Sequence, residues 1–191
     1  MSRAGGTKSA GQQAKKNIIE AARQFFSEYG YLGVSMSDIA SRLNMTKAAH
    51  FTGKNEIFKT VLDEAFTELN QALTEAKNEK TAERKLEGLI KAYFQFGARE
   101  KNLTKALVLK HAPNGTKITE HIAELRTKLI NLIQPVVEEV LAGKKIVKQV
   151  DGHTYTLLLI GMMDGLLLEY SLFKRKIEPD EIARAIMLAL F

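Results

Sequence analysis

Cysteine is absent from this 191-residue sequence. That excludes disulfides and thiolate metal sites and fits a reducing cytosol. Proline is almost as scarce: Pro113, Pro135 and Pro179 are the only three. With so few helix breakers and abundant Ala, Leu, Lys and Glu, the chain favours helix. No stretch alternates apolar and polar residues long enough to make a strand, and no segment repeats. The opening MSRAGGTKSAGQQAKKN lacks the apolar core of a secretory signal and reads as a mobile basic arm. Enzyme signatures are missing as well. There is no Gly-rich phosphate loop, no G-x-S-x-G and no H-E-x-x-H. The four histidines, His50, His111, His121 and His153, have no metal-ligand spacing. No catalytic residue, metal or cofactor is expected.

What is present is an ordinary balance, 45% hydrophobic and 26% charged, with an uneven charge. Residues 1–60 hold nine Lys/Arg against four Asp/Glu, and residues 61–191 hold 19 against 18. The excess positive charge therefore sits in the N-terminal third, as expected for a small module that meets a polyanion.

Apolar spacing predicts a first helix over 13–29, with Ile18, Ile19, Ala22, Phe25 and Phe26 on one face and Gly30 as its stop. Ser35 followed by Asp38 is a capping-box-like start for a second, short helix, which Asn44 can end in a left-handed conformation. Thr46 is a good N-cap for a third. The stripe Ile57, Phe58, Val61, Leu62, Ala65, Leu69 and Leu73 predicts a long helix over 54–77. Further helices are expected over 82–99, 102–111 and 117–141, the last kinked or split by Pro135. The final two are expected over 147–173 and 179–190, with Pro179 in the last helix's first turn. This is an all-α chain of about nine helices. Its expected organisation is a flexible basic arm (1–12), a helix-turn-helix domain (13–56) and a larger helical domain for ligand binding and dimerisation (57–191).

Short helices joined by tight turns and followed by a long one form the layout of a helix-turn-helix module, whose second motif helix enters the roughly 12 Å major groove. The residues Ile18-Ile19-Glu20-Ala21-Ala22, Phe25-Phe26, Tyr29-Gly30-Tyr31, Ser35 through Ala40, Thr46 through Ala49, His50-Phe51 and Lys54 through Phe58 resemble the TetR-type transcriptional repressors. The resemblance covers residues 17–62 densely; beyond them it extends to architecture only. It implies a ligand-responsive repressor that acts as a cytoplasmic homodimer on a palindromic operator. DNA contacts would come from Ser35, Ser37, Thr46, Lys47, Ala48, His50, Thr52 and Lys54. One departure stands out: Ala49 runs straight into His50-Phe51, about three residues shorter than the family pattern. Either the helix re-registers, with Lys47, His50 and Thr52 facing the groove, or the chain is a small-molecule or partner-binding scaffold that does not read DNA.

The resemblance also implies an enclosed small apolar or amphipathic effector. The candidates to line its pocket are Tyr93, Phe94, Phe96, Leu107, His111, Leu125, Leu129, Tyr155, Leu159 and Met163; ordinary core is the competing role for each. Finally, it implies that the last two helices pair with those of a second subunit through Gly161, Asp164, Gly165, Leu168, Ile182 and Ile186. The apolar stretch 155–173 is long enough to cross a bilayer. It carries Asp164, Glu169 and two glycines, so it reads as a buried or dimer-forming helix and no membrane partner is expected.

Overall fold

The computed structural model describes residues 4–44, 51–100, 102–105, 116–144 and 150–191. Within them the chain is helical: α1 (Ala4–Tyr29), α2 (Met36–Arg42), α3 (Lys54–Ala76), α4 (Ala82–Arg99), α5 (Thr116–Gly143), α6 (Gly152–Leu172) and α7 (Pro179–Leu190), with a short helical stretch at 102–105. No strand occurs among the described residues. The expected third short helix and most of the 102–111 helix fall outside them.

Local chemistry sets most of the ends. Gly30, at φ 70°, donates its N–H to the Phe26 carbonyl and closes α1. Ser35 and Asp38 form a reciprocal capping box at α2: the Asp38 N–H donates to Ser35 Oγ (3.1 Å) and the Ser35 N–H to Asp38 Oδ2 (2.7 Å). Asn44 sits at φ 53° just past it. Thr81 and Asp151 cap α4 and α6 through the N–H groups of Arg84 and Thr154.

Two ends differ from expectation. α1 begins at Ala4 rather than near residue 13; no proline interrupts residues 4–16, so the helix runs back through the arm. α5 is one helix from Thr116 to Gly143 in spite of Pro135. Ile133, Val136, Val137 and Val140 are all buried around it. Burying such side chains stabilises by about 1.5–3 kcal/mol each, enough to outweigh an interior proline's cost of about 3 kcal/mol.

α1 packs on α2 and α3, and α3 continues into the larger domain against α4 and α5. α4 is the hub, touching α3, α5, α6 and α7. The predicted α3 stripe is buried throughout, and one core cluster runs from Ile18 to Ile186 without a break at a domain boundary. α6 is long and apolar enough to span a membrane by length and composition, but its Thr156, Leu159, Ile160, Met163, Asp164 and Leu167 are buried within the chain.

Candidate nucleic-acid interface and effector cavity

The interface begins with the aromatic core that holds α1, α2 and α3 together. Phe58 stands edge-on to Phe26 (5.0 Å between centroids) and to Tyr31 (4.8 Å), and Phe26 stacks on Tyr31 (6.0 Å). Tyr31 then reaches the surface. Its hydroxyl donates to Asn55 Oδ1, and the Lys54 ammonium lies 4.0 Å from its ring centroid. Lys54 is thus held at the first turn of α3, where free backbone N–H groups and the helix dipole also favour an anion. Partial burial lowers its pKa, and the Asp38 carboxylate opposes that.

Ser35 and Ser37 are exposed, with their hydroxyls 2.7 Å apart. Hydrogen bonds from Ser35 hold Asp38 below the ordinary carboxylate range. Thr52, also a candidate for DNA contact, gives both its N–H (2.7 Å) and its hydroxyl (2.8 Å) to Glu56 Oε2, which lowers the Glu56 pKa. That arrangement fixes the start of α3. Nearby, Lys15 of α1 sits 5.2 Å from the Phe51 ring centroid. Lys15, Ser35, Ser37 and Lys54 are thereby gathered around the first turns of α2 and α3. Thr46, Lys47, Ala48 and His50 lie outside the described residues.

An ionic network ties this module to the larger domain. Glu100, only 4% exposed, accepts from Arg23 Nη2 (2.7 Å), Arg23 Nε (3.2 Å), Ser27 Oγ (2.7 Å) and Arg99 Nε (3.2 Å). Arg23 also forms a two-pronged pair with Glu68 of α3, and Arg99 joins Glu68 at 2.7 Å. Asn102 Nδ2 donates to the Ser27 and Glu28 carbonyls. The end of α4 is therefore bound directly to the end of α1. Burial pushes the Glu100 pKa up, but hydrogen bonds from Arg23 and Ser27 together with the Arg23 charge outweigh it, and the carboxyl stays below its usual range. Sequence alone does not indicate this network, because apart from the neighbouring Arg99 and Glu100 its pairs join residues 31 to 77 apart.

A second site lies inside the larger domain. Phe66, Leu69, Tyr93, Phe96, Thr104, Leu125, Arg126 and Leu129 line a narrow apolar cavity between α3, α4 and α5. The space left for water is about 10 Å³, room for roughly one molecule. The structure brings four expected residues together here: Tyr93, Phe96, Leu125 and Leu129. Phe94, Leu159 and Met163 are buried core away from this wall, and Tyr155 packs against Phe191 instead. Leu107 and His111 lie outside the described residues. Arg126 was missed, although it follows Ile118 and Ile122 by eight and four residues and so falls on the apolar face of α5. Its Nη2 donates to Asp164 Oδ2 at 2.6 Å, and the Tyr93 hydroxyl donates to Asp164 Oδ1. Burial and the Asp164 charge push the Tyr93 pKa well up.

That bonding accounts for Asp164, which was expected at a subunit interface: it is 6% exposed and faces α4 and α5. Ile182 and Ile186 are likewise buried inside the chain, and Leu168 is half-buried. Gly161 and Gly165 do face outward, with nothing within 4 Å of where a Cβ would stand. Around them Leu157, Leu158, Leu172 and, on α7, Leu188 are exposed.

Comparison with known proteins matches residues 18–61 to the model of bacterial regulatory proteins of the tetR family. Residues 18–61 carry the N-terminal module of the tetR family. The matched span takes in the C-terminal part of α1 and all of α2, and ends within α3. A relative of the chain is the biofilm operon icaADBC HTH-type negative transcriptional regulator IcaR of Staphylococcus epidermidis, 28% identical over 122 residues. The alignment takes in 60% of this chain and 64% of that relative, so the chain spans less than two-thirds of the relative's length. Among solved structures, the fatty acid degradation regulator FadR from Bacillus halodurans superposes with a TM-score of 0.79 at 20% identity, covering 93% of this chain and 94% of that one. The transcriptional regulator FadR from Bacillus subtilis in complex with stearoyl-CoA gives 0.78 at 20% identity, covering 92% and 96%. At such identities these neighbours show the shared all-α fold.

Proposed function

We propose that this chain is a DNA-binding transcriptional repressor that acts in the cytoplasm as a homodimer on a palindromic operator and is released by a small apolar or amphipathic effector. The observation that carries the reading is the family match over 18–61, folded with Lys54, Ser35 and Ser37 at two helix starts. DNA phosphates are held by such cations and N–H groups. The negative regulator IcaR supports the sign. The fatty-acid regulators, one with stearoyl-CoA bound, support an effector with a long apolar part, and the cavity between α3, α4 and α5 is its place. The exposed strip of Leu157, Leu158, Gly161, Gly165 and Leu172 supports pairing of α6 and α7 with a second copy. A two-fold dimer sets its two reading heads about 34–36 Å apart. Among the described residues, nothing favours a scaffold that has given up DNA.

Lys54→Ala tests the phosphate contact. Binding to any duplex should weaken by about tenfold, and the slope of log affinity against log salt should become shallower by about one, as read by fluorescence anisotropy from about 50 to 200 mM salt. Lys54→Arg should keep the slope. An unchanged slope in Lys54→Ala removes this residue from the interface. A monomer without salt-dependent DNA affinity overturns the whole reading.

A further inference from the structure

We infer that the basic cleft between the C-terminal ends of α4 and α6 is the head-group site of the effector, and that the head is a phosphate-type, multiply charged anion joined to an apolar tail. The inference rests on the effector reading above and names the ligand class.

The cleft has a volume of about 330 Å³, at the lower end of the range for small-molecule sites, about 300–1,000 Å³. Lys105, Lys174 and Arg175 line it together with Tyr170 and Ser171, and no carboxylate does so among the described residues. Gly97, Leu167 and Ile177 form its apolar wall. Lys174 and Arg175 come from the turn that ends α6, and Lys105 from the 102–105 stretch. Cations after a helix suit its C-terminal carbonyls, but that does not explain a third cation converging from another element.

The backbone supplies a second observation. Lys174 has a φ of 51°, and the Arg175 N–H reaches back to the Tyr170 carbonyl at 2.9 Å. This is a helix ending in which glycine is the unstrained residue. A lysine in that position lines the cleft at a cost in backbone strain.

The third observation is continuity. Thr104 lines both the cleft and the apolar cavity, so a head in the cleft directs a tail toward Phe66, Phe96 and Leu125. The cavity's own cation, Arg126, is already held by Asp164, which leaves the cleft as the place for an anion. The cavity has only about 10 Å³ free, so a tail must part α3, α4 and α5 to enter. Phe96 and Gly97 lie within one helical turn of Arg99 and Glu100, and that displacement therefore reaches the network holding α1.

The test uses the full chain and three matched probes, farnesyl diphosphate, farnesol and inorganic pyrophosphate, with calorimetry on the wild type and on Lys105→Met, Lys174→Gly and Arg175→Gln. Farnesyl diphosphate should bind with salt-dependent affinity. Each variant should weaken it by about tenfold, the usual scale for removing one charge-assisted hydrogen bond, and leave farnesol unchanged. Lys174→Gly should also raise Tm, which separates impaired binding from impaired folding. Equal affinity of farnesyl diphosphate for the wild type and all three variants overturns the inference. So does pyrophosphate binding as tightly as farnesyl diphosphate, which would mark a site for free polyphosphate. If no probe binds while specific DNA recognition is intact, this inference alone fails. If farnesyl diphosphate binds as expected while DNA recognition is absent, the repressor reading alone fails.

Discussion

Glu100→Ala is expected to destabilise the chain by about 3–5 kcal/mol, the usual cost of removing one partner of a buried ion pair. For a chain of this length, that lowers Tm by roughly 10 °C or more. Glu100 is 4% exposed and accepts from Arg23, Ser27 and Arg99. Without it, Arg23 keeps Glu68 but loses its second carboxylate, and Ser27 Oγ loses its acceptor. Glu100→Gln keeps an acceptor without the charge and should cost less. Its deficit should also depend on pH. The folded-state pKa of Glu100 is held below the ordinary value, so its stabilisation is fully present above about pH 4.3, the unfolded value. That stabilisation is lost as pH falls through the lower folded value. The gap between wild type and Glu100→Gln should therefore be wide at pH 7 and shrink below about pH 4, as read by urea denaturation. A gap that stays the same at both pH values removes the charge from the account. The network joins the end of α4 to α1, so Glu100→Ala should also weaken the effect of an effector on DNA affinity while leaving DNA binding in place. The two ligands' coupling is a free energy measurable from either side.

Phe58→Ala should cost about 3–5 kcal/mol, as large-to-small changes at a filled aromatic core position do. Phe58 is fully buried, and its ring meets both Phe26 and Tyr31. Tyr31 in turn carries Lys54 and Asn55 at the start of α3. Removing the ring leaves a cavity under the residues proposed to contact DNA. Loss of DNA binding should therefore accompany the drop in stability, whereas Phe58→Leu should retain most of both. A deficit below about 1 kcal/mol for Phe58→Ala would show that the module collapses around the gap, and that the aromatic cluster does not set the interface.

Some of this architecture can be read directly from the residues. The α3 stripe repeats at helical spacing and is buried throughout because one face of a helix meets one core. Ser35 with Asp38, Gly30 and Asn44 mark their turns because capping and left-handed backbone are local chemistry. Other features were not legible, for two reasons. Asp164, Ile182 and Ile186 share a helical pattern with Gly161 and Leu188, and periodicity does not say which face turns inward; packing on α4 decides that. The cluster of Arg23, Glu68, Arg99 and Glu100 and the trio of Tyr93, Arg126 and Asp164 exist only once distant segments meet. Pro135 shows the converse, a local preference giving way to context.

The central claim is sequence-specific DNA reading by a chain whose motif runs from Ala49 straight into His50-Phe51. Selection of binding sites from a random duplex pool tests it most directly, using this chain beside a variant with Leu-Tyr-Tyr inserted between Ala49 and His50. The chain as it stands should enrich a near-palindromic site with half-sites about one DNA turn apart. It should bind that site at least about a thousandfold more tightly than random duplex at the same salt. Enrichment by the insertion variant alone, with only salt-sensitive and sequence-blind binding by this chain, would contradict it.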